Sequence, residues 1–129
     1  MKAFKSLLFF LILSVMAIAC SAQSSKVLPP KEFQTAMQNS GQYILLDVRT
    51  PEEYASGKIQ GAKNINVRNR SFNQEVAQLD INLPVFVYCH SGGRSAYAAS
   101  KLQSMGFLQV YDLRGGITAW KSQGMMVEK

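Results

Sequence analysis

Pro84-Val85-Phe86-Val87-Tyr88-Cys89-His90-Ser91-Gly92-Gly93-Arg94-Ser95 decides how this chain is read. An apolar run without alternation leads to a cysteine, then to a short glycine-containing loop, then to a helical pattern from Ser95 to Met105. That order is strand, tight loop, helix. In open α/β sheets, ligands gather outside the carboxyl ends of the strands. Glycines let successive backbone N–H groups turn toward one point and form an anion nest. A helix starting near Ser95 adds unpaired N–H groups and the positive end of its dipole. Arg94 adds a full positive charge. All three favour thiolate at Cys89, and the thiolate is the nucleophile.

Each feature alone has a plainer explanation. A lone cysteine at a strand end is usually a small buried hydrophobe. Gly92-Gly93 can be only a turn, and Arg94 only a surface cation. Their conjunction in strand–loop–helix order favours the nucleophile. Ser91 and Ser95 can add hydroxyl hydrogen bonds, or Ser95 can simply cap the helix. His90 can tune the site or contact substrate, or it can face solvent.

Working outward, the apolar and polar residues alternate between strand and helix patterns. Pro29-Pro30 precedes a helix with Phe33, Ala36 and Met37 on one face, stopped near Gly41. Tyr43 to Val48 is a short continuous apolar run, the mark of a strand covered on both faces. Thr50-Pro51-Glu52-Glu53 carries the signature of a capping box at a helix start. Gly61 to Asn66 turns into a brief strand, and Phe72, Val76 and Leu79 mark a further helix. Leu108 to Leu113 gives a last strand, and Arg114-Gly115-Gly116 opens a final helix with Ile117 and Trp120 inward. Repeated strand–helix units predict a three-layer α/β domain, with a mainly parallel central sheet flanked by helices.

Four segments together resemble the rhodanese-like family. Cys89 to Arg94 resembles its Cys-x-x-x-x-Arg loop. Leu46-Asp47-Val48-Arg49 resembles its Asp-Val-Arg segment. Lys58-Ile59-Gln60-Gly61-Ala62-Lys63-Asn64-Ile65 resembles its His-Ile-Pro-Gly-Ala-x-Asn-Ile segment, with Lys58 for the usual His and Gln60 for the usual Pro. Leu113-Arg114-Gly115-Gly116-Ile117-Thr118-Ala119-Trp120 resembles its closing motif. The resemblance runs from about Val27 to the C-terminus. It implies a single-domain sulfurtransferase in which Cys89 carries a persulfide. His90, Ser91, Gly92, Gly93, Arg94 and Ser95 then face the transferred sulfur. It implies a small sulfur-containing anion as donor and a thiol or protein as acceptor. Two other classes compete: a non-catalytic persulfide carrier or redox module, and an arsenate reductase or phosphatase on a related scaffold. Phosphatases of that scaffold resemble Cys-x-x-x-x-x-Arg, one residue longer. Asp47 is expected to pair with Arg49 or organise a turn, and Trp120 to lie in the core.

Composition sets the outer limits. The chain has 129 residues, 47% hydrophobic and 17% charged, with a net charge of +6. That is one domain plus an apolar leader. Without Lys2 and Lys5, twelve basic residues face eight acidic ones, and no basic block supports nucleic-acid binding. One His and one loop cysteine do not make a closed zinc site, so neither metal nor cofactor is expected. Residues 1–19 read as an export signal: a basic start, an apolar run and the small residues Ala17-Ile18-Ala19. The run is shorter than the roughly 20 residues needed to span a bilayer. Cys20 directly after it resembles a bacterial lipobox cysteine, which would be lipidated. Residues 20–26 then form a flexible tether and 27–129 the folded domain. A monomeric, exported protein is expected, periplasmic or in the cell envelope and held to a bacterial membrane by lipid on Cys20. Simple secretion after cleavage is the alternative.

Overall fold

A computed structural model describes residues 23–129. The leader, Cys20 and its proposed lipidation lie outside the described residues. Five parallel strands form one sheet: β1 (Ser24–Leu28), β2 (Ile44–Asp47), β3 (Lys63–Asn64), β4 (Val85–Tyr88) and β5 (Gln109–Leu113). Their order is β1-β5-β4-β2-β3. Helices α1 (Pro30–Asn39), α2 (Pro51–Ser56), α3 (Phe72–Val76), α4 (Gly93–Ser104) and α5 (Gly116–Ser122) alternate with the strands.

Alternation along β4 builds the three layers. Val85, Val87 and Cys89 pack with Phe72 and Val76 of α3 and with Ala98, Ala99 and Leu102 of α4. Phe86 and Tyr88 point the other way, among Phe33 and Met37 of α1 and Ile117 and Trp120 of α5. All four residues of β4 are buried, as expected for a strand covered on both faces. Phe33 meets Phe86 edge-on at 5.2 Å between ring centroids, a favoured geometry for aromatic pairs. Trp120 is buried, and its Nε1–H donates to the Met126 carbonyl at 2.9 Å.

Two boundaries differ from the sequence reading. Ser24, Ser25 and Lys26, expected in the tether, belong to β1 and pair with Gln109, Val110 and Tyr111 of β5. This strand is half-exposed and polar, so hydrophobic patterning does not mark it; the open edge of β5 supplies its backbone partners. Helix α4 starts at Gly93 rather than near Ser95, because Gly92 takes a left-handed conformation at φ 117° and occupies the cap. Ser95 therefore lies inside the first turn and does not cap it.

The capping box at α2 is formed as read. The Thr50 side chain accepts from the Glu53 amide at 3.3 Å, and Glu53 Oε2 accepts from the Thr50 amide at 3.0 Å. Where Lys58 stands for the family's usual His, its ammonium sits 4.6 Å from the Tyr54 ring centroid. Its backbone pairs with Glu128. The substitution is absorbed by these local contacts.

Candidate active site

The carboxyl end of β4 delivers Cys89 to the middle of the sheet, against the first turn of α4. Cys89 is buried and is a free thiol. The Gly92 amide donates to its Sγ at 3.0 Å. The Ser95 hydroxyl lies 3.5 Å from the same sulfur. Burial pushes the thiol up. The Ser95 hydroxyl and the amides of Ser95, Gly92 and Ser91 outweigh it and hold the thiol below its ordinary range. Of the loop predicted to form a nest, the Gly92 amide and the Ser95 hydroxyl lie on the sulfur, while His90 is exposed.

Helix α5 fixes the loop from behind. The Ile117 amide donates to the Cys89 carbonyl at 2.9 Å, and the Thr118 amide to the His90 carbonyl at 3.1 Å. Gly116, at φ 61°, has no room for a side chain: a Cβ there would fall 2.6 Å from the Cys89 carbonyl oxygen and clash with the His90 carbonyl. Gly116 therefore seats the Cys89 loop, joining two sequence segments that lie more than twenty residues apart. His90 itself is exposed, and its ring Nε2 lies 3.4 Å from Thr118 Oγ1.

Arg94 has a direct partner that its sequence position does not reveal. Its two terminal nitrogens form a bidentate pair with Glu53, at 2.7 and 2.8 Å. Bidentate carboxylate pairing is the strong form of the interaction and fixes the guanidinium plane. The Arg94 pair holds the Glu53 carboxyl far below the usual carboxylate range, against the opposing effect of burial. Arg94 is raised chiefly by Glu53, and the Cys89 charge acts on it only after that. The cation is thus largely spent on Glu53, and the thiolate rests on hydroxyl and amide hydrogen bonds. Arg94→Ala is expected to move the alkylation midpoint of Cys89 upward by less than Ser95→Ala does. Iodoacetamide rates across pH for the two variants check this ordering.

Glu53 is the site residue that sequence reasoning missed. It was legible only as the third residue of the capping box, and its second role depends on α2 and α4 meeting in space. Nearby, Asp47 and Arg49 pair as expected. Arg49 Nη2 donates to Asp47 Oδ2 at 2.7 Å and to the Gly57 carbonyl at 2.6 Å, and both side chains are buried. This pair orders the end of β2 and the entry to α2, so it supports the frame that carries Glu53.

Comparison with known proteins agrees with this geometry. The profile of the Rhodanese-like domain matches residues 29–123. The chain is 35% identical over 96 residues to thiosulfate sulfurtransferase GlpE of Stutzerimonas stutzeri, covering 74% of this chain and 84% of that protein. It is 31% identical over 111 residues to protein YqhL of Bacillus subtilis, covering 86% of this chain and 84% of that one. Among solved structures, a rhodanese-related protein from Thermoplasma volcanium superposes with a TM-score of 0.70 at 28% identity, over 80% of this chain and 97% of that one. A rhodanese-like domain protein from Staphylococcus aureus gives 0.67 at 27% identity, over 81% and 99%. With its parallel sheet, its Cys-x-x-x-x-Arg loop and the glycine that seats that loop, the chain belongs to the rhodanese-like domain family.

Proposed function

We propose that this protein is a sulfurtransferase that carries sulfane sulfur on Cys89. The observation that carries the reading is a buried free thiol at the end of β4, with the Gly92 amide at 3.0 Å and the Ser95 hydroxyl at 3.5 Å from its sulfur. In the first step the Cys89 thiolate attacks the outer sulfur of a donor such as thiosulfate. The new S–S bond forms as the donor's own S–S bond breaks, and sulfite leaves with the electron pair. In the second step a thiophilic acceptor attacks the outer sulfur of the persulfide, and the Cys89 thiolate returns. Two displacements replace one difficult transfer. Loop amides stabilise negative charge on sulfur as an oxyanion hole stabilises it on oxygen.

Loop size separates sulfur from phosphate. Four residues, His90 to Gly93, lie between Cys89 and Arg94. The Gly92 amide already closes on Sγ at 3.0 Å, and Arg94 faces Glu53. A tetrahedral phosphate needs a wider ring of donors and a free guanidinium. A misplacement of about 1 Å can cost on the order of a hundredfold in rate. The expected result is transfer from thiosulfate to cyanide or a thiol, and no appreciable hydrolysis of an aryl phosphate. Side-by-side rates decide it: Cys89-dependent phosphate hydrolysis faster than sulfur transfer overturns the assignment. A protein that accepts sulfur onto Cys89 but turns over neither substrate is a carrier instead.

The leader leads to a second proposal, that Cys20 is lipidated after export and holds the domain at a membrane. It is supported by the basic start, the apolar run and the small residues before Cys20. A single acyl chain binds membranes only marginally, so more than one is needed for stable attachment. Cys20→Ser is expected to move the protein from the membrane to the soluble fraction. Wild-type protein already soluble after export favours simple secretion.

A further inference from the structure

On the same side of the sheet as Cys89 lies a buried acid that the sulfur-transfer scheme leaves unused. Asp112 sits on β5, paired in register with Val87 of β4 and Val27 of β1. Val110, two residues earlier, belongs to the core layer that holds Val87, Cys89 and α4, whereas Tyr111 and Leu113 face the other layer. Strand alternation therefore turns Asp112 toward Cys89 and the first turn of α4. It is 4% exposed, and its Oδ1 is buried with no hydrogen-bond partner. Buried polar groups are nearly always satisfied, so an orphaned carboxylate oxygen beside a nucleophile calls for an explanation.

Ser95 is the link. Its hydroxyl donates to the Gly92 carbonyl at 3.2 Å and lies 3.5 Å from Cys89 Sγ. Burial raises the Asp112 carboxyl, and Ser95 partly pulls it back toward ionisation. The Ser95 hydroxyl thus serves a carbonyl and touches the sulfur, and it is the polar group that acts on the buried carboxyl. When Asp112 is ionised it competes with Cys89 for the hydroxyl proton and repels the thiolate charge. When Asp112 is protonated it can donate to Ser95 Oγ, leaving the Ser95 proton free for sulfur.

We propose that Asp112 is a positioning residue for the Cys89 nucleophile, coupled to it through the Ser95 hydroxyl so that the pair carries one negative charge between them. The proton balance is closed. The Cys89 S–H proton passes to Ser95 Oγ as the Ser95 proton passes to Asp112, so carboxylate plus thiol become carboxylic acid plus thiolate. No other reactant is needed. The role rests on the sulfurtransferase reading for its purpose, but not for its test, which reads ionisation rather than turnover.

Other charges are not placed to do this. On the elements packed against β5, Lys26 of β1 and Lys31 and Glu32 of α1 are exposed, as is Tyr97 of α4. Lys101 of α4 reaches Asn73, and Arg94 is held by Glu53. Tyr88 of β4 faces the opposite layer, and His90 is exposed beside Thr118.

The experiment is the pH dependence of Cys89 alkylation in the full chain, followed by intact mass, with circular dichroism to confirm folding. Wild type is expected to titrate over a broad or two-step range, the behaviour of a coupled pair. Asp112→Asn keeps the shape, removes the charge, and is expected to give a single step at least about half a pH unit lower. That is roughly a threefold gain in thiolate fraction below the midpoint. Asp112→Leu should shift it in the same direction and serves if the amide variant folds poorly. Ser95→Ala should raise the midpoint and cut the effect of Asp112→Asn by more than half. An unmoved or raised midpoint in both Asp112 variants overturns the proposal, as does an effect that Ser95→Ala leaves intact. Thiosulfate turnover measured in parallel reports separately on the sulfurtransferase reading.

Discussion

Cys89→Ser is expected to reduce sulfur transfer to background while leaving the fold in place. The serine hydroxyl does not ionise near neutral pH and forms no persulfide, so both displacements lose their nucleophile. Its smaller oxygen can still accept from the Gly92 amide that now donates to Sγ at 3.0 Å. The loop is also held from outside, through the Ile117 and Thr118 amides on the Cys89 and His90 carbonyls. Those contacts use backbone atoms and survive the change. Stability is therefore expected to stay within about 1 kcal/mol of wild type, the scale of one neutral hydrogen bond. Thiosulfate-to-cyanide rates and intact mass after donor treatment give the two readouts. Turnover retained by the serine variant, or a gain of one sulfur on it, sinks the mechanism.

The largest expected loss of stability comes from Asp47→Ala. Asp47 accepts from the Arg49 amide at 2.9 Å and from the Arg49 side chain through both carboxylate oxygens. Removing it leaves a guanidinium buried with the Gly57 carbonyl at 2.6 Å and the Tyr88 ring, 5.6 Å away, but with no carboxylate in contact. Breaking a buried ion pair from one side costs about 3–5 kcal/mol, a large share of the roughly 5–15 kcal/mol that holds a domain together. Replacing both partners with apolar residues, as in Asp47→Leu with Arg49→Met, is expected to recover much of that loss, because no charge is then stranded. Urea unfolding of the single and double variants measures it. A single-variant cost below about 1 kcal/mol contradicts the buried-pair account.

These two sites differ in how they could be read. Cys89 was legible because everything that activates it is local: the strand that ends at Tyr88, the glycines of the loop and the helix behind them are contiguous in sequence. Thr50 and Glu53 were legible as a capping box for the same reason, and Asp47 with Arg49 as an i, i+2 pair at a strand end. The parallel sheet followed from apolar runs such as Val85 to Tyr88, whose lack of alternation requires cover on both faces.

Tertiary structure decided the rest. Glu53 and Arg94 are 41 residues apart, and only the packing of neighbouring strand–helix units brings their side chains together. That contact gives Arg94 a carboxylate as its first partner, and the direct contacts to sulfur are left to an amide and a hydroxyl. Ser24 to Lys26 carry no apolar pattern, yet they form a strand because the edge of β5 offers unpaired backbone groups. Asp112 reads as an ordinary polar residue in Val110 to Leu113, and only its register beside Val87 places it on the Cys89 side of the sheet. Local sequence thus determined where the chemistry resides. Which charges surround it was settled by contacts across the sheet, since electrostatic partners are chosen by distance in space and not by distance along the chain.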